Sequence, residues 1–398
     1  SISLFSAAAA AEGRKTNIVL FLIDDLGWRD IGANGSTYYQ TPNIDRLARE
    51  GVRFTDAYAA CAVCSPTRAA LITGRNHHSA GFGVISEQST GFPGYNSIIP
   101  EDKATIGRIL LDNGYSTAWF GKDHNTPFYQ SSVAGPFDQW PNGMGFEYFY
   151  GFLGGEASQY EPNLVRNTTS VLPPRTPEEG YHLTEDLADD AIGWLQTQDA
   201  IQPDKPFYMY WATGAIHGPH QVAKEWSDKY AGKFDDGWDV YRERAFVNAK
   251  DKGWIPADAQ LTPRHPTMPS WDSIPETQRP FQRRLMEVLA GFAEHTDRQY
   301  GKVLDELERL GQLDNTLIFY VNSDNGASAE GLFGTISEIL CHNGLQIPVD
   351  QQIEVLERDY GGIDMLGTEL VDNHYHAAWA WAIGPVRCRS IGFSRARG

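Results

Sequence analysis

Four short runs of consecutive apolar and β-branched residues limit what this chain can become: NIVLFLI (17–23), STAWFG (116–121), PFYMYWA (206–212) and TLIFYVN (316–322). A strand that is apolar at successive positions has no face to offer water, so each must lie in a sheet covered on both sides. Between the runs stand segments with helical spacing: PNIDRLAREG (42–51), TIGRILLDNGY (105–115), a stretch over 186–198 and a long amphipathic one over 281–310. Gly51, Gly114 and Gly311 are their natural stops. Strands alternating with helices predict an α/β fold, with a large mixed, mostly parallel sheet sandwiched by helices. Residues 221–280, rich in proline and tryptophan, break the rhythm and read as an irregular excursion, a lid or rim.

The 398 residues carry 51 acidic against 33 basic side chains, a formal net charge of −18. Such a surface repels nucleic acid and anionic membranes, so neither is expected as a partner. No apolar run reaches the roughly 18 residues needed to span a bilayer. If the substrate is an anion, attraction must come locally, from a metal or a few focused cations. The start, SISLFSAAAAAEGRK, has the small and apolar residues that end a secretion signal. Residues 1–13 are therefore expected to be a signal remnant and the protein periplasmic or secreted, although an Ala-rich terminus of a cytoplasmic protein fits the same letters. Four cysteines, at 61, 64, 341 and 388, are too few for a disulfide scaffold in a chain this long.

In open α/β sheets, ligands bind beyond the carboxyl ends of the strands. The residues found there are Asp24 and Asp25 after the first run, Lys122 and His124 after the second, His217 and His220 after the third, and Asp324 and Asn325 after the fourth. Each has a bland explanation as a turn residue or a satisfied core group. Four such ends carrying carboxylates, imidazoles, an amide and a lysine are harder to explain as turns. Oxygen donors from Asp24, Asp25, Asp324 and Asn325 suit Ca²⁺, with Mg²⁺ second, whereas zinc would recruit the histidines and thiols.

The stretch CAVCSPTRAALITGR (61–75) places Cys64 ahead of a helix, with Ser65 as N-cap, Pro66 at the first helical position and Gly74 as the stop. An oxyanion there would meet backbone amides and the guanidinium of Arg68. Cys61 and Cys64 also have the C-x-x-C spacing of a redox pair. His77 and His78 follow at a distance that brushes against a zinc-finger pattern but lack its spacer. Inert buried thiols are a further reading.

CSPTR with its downstream TGR resembles the sulfatase signature C-x-P-[ST]-R. LIDDLGW, PNIDRLAREGVRFTDAYA, GKDH, HGPH and SDNG continue the likeness in family order. It spans roughly residues 16–381 and is nearest to bacterial arylsulfatases of the alkaline phosphatase superfamily. The resemblance implies an alkaline-phosphatase-like catalytic domain over 14–381. It implies hydrolysis of a small aryl or alkyl sulfate ester by a formylglycine geminal diol, made from Cys64 by a sulfatase-maturing enzyme. Asp24, Asp25, Asp324, Asn325 and the modified Cys64 would ligate Ca²⁺, and Arg68 would hold the diol. Lys122 would bind sulfate, His217 would protonate the departing alcohol and His124 would release sulfate.

Two departures accompany this match. The family places another substrate-binding lysine well after the aspartate–asparagine element, and no lysine follows Lys302. The basic tail over 382–398 lacks strand or helix periodicity and does not resemble the family's continuation. The small C-terminal antiparallel subdomain is therefore expected to be missing, and turnover reduced or absent. Phosphonate or phosphate ester hydrolysis by the same metal cluster, and a catalytically dead relic that binds sulfated ligands, are the alternatives.

Overall fold

The four apolar runs form the centre of a nine-stranded sheet. The structure is a computed structural model and describes residues 15–54, 57–383 and 392–395. Among these the strands are β1 (Asn17–Leu22), β2 (Val52–Arg53), β3 (Ser116–Lys122), β4 (Tyr148–Phe152), β5 (Leu164–Arg166), β6 (Thr169–Val171), β7 (Phe207–Ala212), β8 (Thr316–Val321), β9 (Phe333–Thr335), β10 (His374–His376) and β11 (Gly392–Arg395). The helices are α1 (Pro42–Glu50), α2 (Cys64–Thr73), α3 (Ile106–Asp112), α4 (Leu183–Ile201), α5 (Lys224–Asp228), α6 (Gly237–Asp251), α7 (Arg279–Arg309), α8 (Glu338–His342), α9 (Val349–Val355) and α10 (Ala377–Ile383).

The main sheet runs β2-β11-β8-β1-β7-β3-β4-β5-β6. Strands β8, β1, β7, β3 and β4 are mutually parallel. Antiparallel β5 and β6 extend one edge, and antiparallel β11 joins β8 to β2 at the other. Strands β9 and β10 form a separate antiparallel pair. The expected mixed, mostly parallel sheet is present.

Alternation along the central strands divides the core in two. Val19, Phe21, Met209, Trp211, Phe120 and Ile318 face one way, onto Leu187 of α4, Tyr300 of α7 and Leu47 of α1. Leu20, Leu22, Tyr208, Tyr210 and Trp119 face the other way, onto Ala69 and Ile72 of α2 and onto Phe82, Trp140 and Phe146. Both faces are dry, and that is why the strands read as continuous apolar runs.

Three expectations need correction. Residues 221–280 are not irregular throughout, because they contain α5 and α6. Trp238 of α6 meets Trp271 edge-on with ring centroids 4.8 Å apart, and both rings pack against Trp379 of α10. Large aromatic surfaces with few aliphatic neighbours hide the helical period in the sequence while still filling a core. The tail is not without strand structure, since residues 392–395 pair antiparallel with β8 and β2. Helix α2 begins at Cys64 itself, with Val63 rather than Ser65 as the N-cap. Proline is tolerated anywhere in a first turn, whose N–H groups lack intrahelical acceptors, so Pro66 does not fix the first position. Residues 1–14, which contain the expected signal remnant, lie outside the described residues.

Helix α1 has an unusual cap. Its N-cap residue Thr41 accepts no bond from the first-turn backbone amides. Instead Asp297, from the middle of α7, accepts the backbone N–H groups of Asn43 and Ile44 at 3.0 and 2.9 Å. Burial holds this carboxyl up at about 6 despite those bonds. Replacing it in Asp297→Ala unpairs two buried donors and should lower unfolding free energy by about 1–3 kcal/mol, measurable by urea denaturation. The raised carboxyl binds a proton in the folded state before the unfolded one does. Its contribution is therefore full near pH 4 and declines as pH rises through about 6. The stability gap between wild type and Asp297→Asn should accordingly shrink over that interval.

Candidate active site

The parallel order β8-β1-β7-β3 sets four strand ends side by side, and the chain leaves each one carrying polar groups. Asp24 and Asp25 follow β1, His217 follows β7, Lys122 ends β3 with His124 beyond it, and Asp324 and Asn325 follow β8. Three loop residues here, Asp25 (φ 54°), His124 (φ 55°) and Ser323 (φ 85°), take the left-handed conformation. Such backbone is uncommon outside glycine and persists only where the surroundings enforce it. Gly121 also matters: a Cβ there would sit 2.1 Å from the carbonyl oxygen of Ala212, so glycine lets β3 lie close to β7 just before Lys122.

Arg68, on the second turn of α2, enters this ridge from below and is fully buried. Its Nε donates to Asp324 Oδ2 at 2.9 Å, its Nη1 donates to the Lys122 carbonyl at 3.2 Å, and Nη2 lies 3.5 Å from Asp24 Oδ1. Lys122 Nζ donates to Asp24 Oδ2 at 2.6 Å. Asn325 Nδ2 donates to Asp25 Oδ1, also at 2.6 Å. Burial alone would raise Asp24, but Lys122 and Arg68 outweigh it and hold the carboxyl below its ordinary value. Asp25 has no such cation in contact. Burial, then Asp24 and Asp324, push it well up. Burial and Asp24 likewise lift Asp324 to about 6, against Arg68 and Lys122.

Carboxylate oxygens of Asp24, Asp25 and Asp324 lie within 4.8 Å of one another. Asp24 Oδ1, Asp25 Oδ2, Asp324 Oδ1 and Asn325 Oδ1 are buried with no hydrogen-bond donor. Orphaned buried acceptors of this kind are costly unless a cation meets them. The donor set is all oxygen, so the residues fit a hard divalent ion.

Cys64 stands at the first turn of α2, with Sγ 3.2 Å from His124 Nδ1. His124 Nε2 lies 3.0 Å from Glu87 Oε2. A carboxylate only accepts, so Nε2 is the donor in this pair and Nδ1 is the nitrogen turned to position 64. Burial opposes ionisation of Glu87, but the bond from His124 wins and holds it down at about 2. Cys64 and Cys61 are both free thiols, which excludes a bridge between them. Burial pushes the Cys64 thiol up to about 12. His217 Nδ1 faces the Gly218 carbonyl at 2.8 Å, and Nε2 lies 3.7 Å from both Asp25 Oδ2 and Glu330 Oε2.

All nine residues singled out for the site thus come together. His77 and His78 instead bond within their own loop, to the Phe82 carbonyl and the Tyr95 hydroxyl. His220 stacks on Tyr375. Sequence reasoning missed Glu87, which lies far from any strand end, and Glu330, six residues beyond Asp324 in the same loop. The position of Glu330 in the loop that follows a central strand was the one available signal.

A family model described as Sulfatase matches residues 16–364. An uncharacterised sulfatase of Schizosaccharomyces pombe is 34% identical over 81% of this chain and 59% of its own length. An arylsulfatase of Klebsiella aerogenes is 27% identical over 84% of this chain and 71% of its own. The crystal structure of Ps i-CgsB in complex with k-i-k-neocarrahexaose superposes with a TM-score of 0.55 at 28% identity, covering 79% of this chain and 59% of that one. The fold is that of the alkaline-phosphatase-like hydrolases. The chain belongs to the sulfatase family, and it spans 59% of the length of the fission-yeast relative.

Arg68 is the partner of two buried carboxylates. Arg68→Met leaves Asp24 and Asp324 short of a cation and should cost about 3–5 kcal/mol of stability in metal-free buffer, read by urea unfolding. Unchanged stability would mean that the pair is solvated in solution.

Proposed function

We propose that this protein hydrolyses small aryl or alkyl sulfate esters, using an oxidised side chain at position 64 and a Ca²⁺ ion held by Asp24, Asp25, Asp324 and Asn325. The observation that carries this reading is the convergence of four orphaned oxygen acceptors with Cys64 and two buried cations at one row of strand ends. The state of Cys64 supports it further. A thiol held up near 12 is protonated at neutral pH and is a poor nucleophile. A sulfatase-maturing enzyme would convert it to formylglycine. The bound ion and the hydrated aldehyde would supply, respectively, charge neutralisation at the sulfate oxygens and a hydroxyl nucleophile.

The chain's own residues do the rest. Lys122 and Arg68 fix the orientation of Asp24 and Asp324 and hold positive charge beside the anion. The first-turn N–H groups of Cys64 and Ser65 point out of α2 without intrahelical acceptors and favour an oxyanion there. His124 takes a proton at Nδ1 from the side chain at position 64, and Glu87 stabilises the resulting imidazolium through Nε2. His217 presents Nε2 to the space beside Asp25 and Glu330, where a departing alkoxide would need a proton. Burial and then Lys122 push its imidazolium down to about 4, so the ring is mostly neutral at pH 7 and must take up a proton before Nε2 can donate one.

Four outcomes are expected. The peptide containing Cys64, from protein co-expressed with a maturing enzyme, should show the aldehyde mass. Cys64→Ala should cut turnover of nitrophenyl sulfate by at least about 10³-fold. His217→Ala should cost little with nitrophenyl sulfate, whose leaving group needs no proton, but about 10²–10⁴-fold with an alkyl sulfate. Faster cleavage of nitrophenyl phosphate than of the sulfate would favour the phosphate-ester alternative and overturn the assignment. Chelation by EGTA should lower both the melting temperature and activity, with Ca²⁺ restoring them better than Mg²⁺.

A further inference from the structure

A second group of potential ligands lies beside the site and shares no residue with the aspartate cluster. Glu330 is in the loop after β8, Glu338 opens α8, and His374 begins β10. One donor atom from each lies within 4.8 Å of the others. Glu338 and His374 are fully buried. Both carboxylate oxygens of Glu338 and Nε2 of His374 have no hydrogen-bond partner. Gly218 accommodates this arrangement, because a Cβ there would lie 1.6 Å from Glu338 Oε2.

The tautomer of His374 sharpens the problem. Its Nδ1 lies 3.1 Å from the Tyr375 carbonyl oxygen, which can only accept, so Nδ1 carries the proton. Nε2 is then a bare lone pair, and it faces Glu338 Oε1 at 3.9 Å. That distance is too long for a hydrogen bond, whether or not the Glu338 carboxyl carries a proton. A histidine whose other nitrogen donates to a backbone carbonyl is the usual form of a metal ligand.

We propose that Glu330, Glu338 and His374 form a binding site for a divalent transition-metal ion of the Zn²⁺ type, separate from the all-oxygen cluster. One imidazole with two carboxylates suits such an ion better than Ca²⁺. Tetrahedral bonds of about 2.0–2.1 Å put ligand atoms about 3.3–3.4 Å apart, so small side-chain rotations close the site. His342, with Nε2 3.8 Å from Glu330 Oε1 and 3.6 Å from Glu338 Oε1, is placed as a fourth donor. Glu330 is half exposed and gives the ion a way in. Without a cation, burial and then Glu156 and Glu330 keep the Glu338 carboxyl well above its ordinary range. An ion here would tie the loop after β8 to α8 and β10, and would draw Glu330 away from His217.

The experiment uses the full chain stripped with chelator and titrated with Zn²⁺ alone by calorimetry, with melting temperature as a second readout. Wild type should bind Zn²⁺ and melt higher in its presence. Loss of a ligand in His374→Ala or Glu338→Gln should weaken that binding by at least about 100-fold, more than loss of a merely supporting residue. Glu330→Gln, at an exposed position, serves if the buried variants do not fold. Asp324→Asn, which damages only the oxygen cluster, should keep the Zn²⁺ isotherm while losing the response to Ca²⁺. No Zn²⁺ binding by wild type, or binding abolished by Asp324→Asn yet unaffected by Glu330→Gln, would overturn the proposal and leave the sulfate-ester reading untouched.

Discussion

Arg68 and Lys122, buried among Asp24, Asp25 and Asp324, set the terms for the rest of this molecule. Three buried carboxylates face two buried cations, and unpaired charge is expensive there. The imbalance falls on Asp25, the carboxyl with an amide rather than a cation beside it. A divalent ion placed among the orphaned oxygens would hold all three carboxyls ionised and leave the whole group with one net positive charge. Such a charge would let a chain of net charge −18 attract an anion at one point and repel it elsewhere.

The fold exists to hold that group. Residues 24 and 324 are far apart in sequence, yet they follow strands that are hydrogen-bonded neighbours in register. The same is true across β1–β7 and β7–β3. Each loop therefore begins from a fixed strand end, and the left-handed turns at Asp25, His124 and Ser323 aim the next side chains inward. The two dry cores on either face keep the strands from shifting. A one-residue slip in β1 or β8 would exchange its inward and outward sets and dismantle both cores together with the site.

The sequence disclosed what depends on short-range chemistry. Apolar runs marked the central strands, glycines marked helix ends, and polar residues past strand ends marked the side chains that converge there. Parallel-sheet topology then did the assembling, and it has few alternatives once the strands are known. What stayed hidden depends on long-range packing. Asp297 capping α1 joins residues far apart in the chain, and nothing near either one announces it. The helices of 221–280 were masked because Trp238 and Trp271 are held by Trp379, well over a hundred residues later. Glu87 reaches His124 from a loop without regular structure. The start of α2 was misplaced by one cap because Ser65 is a good N-cap residue by type, while backbone geometry assigns that role to Val63.

The two acidic clusters differ in a way that bears on selectivity. The inner one is all oxygen and braced by fixed cations, so its shape is set before any ion arrives. The outer one draws an imidazole lone pair and two carboxylates from three separate segments, and among the described residues no lysine or arginine pairs with them. Ligand hardness would send a calcium-like ion to the first and a zinc-like ion to the second. His217 stands between them, with Nε2 equidistant from Asp25 and Glu330. Whatever charge occupies either cluster therefore acts on the same imidazole. Linkage between two sites requires a group that both of them bias, and His217 is placed as that group.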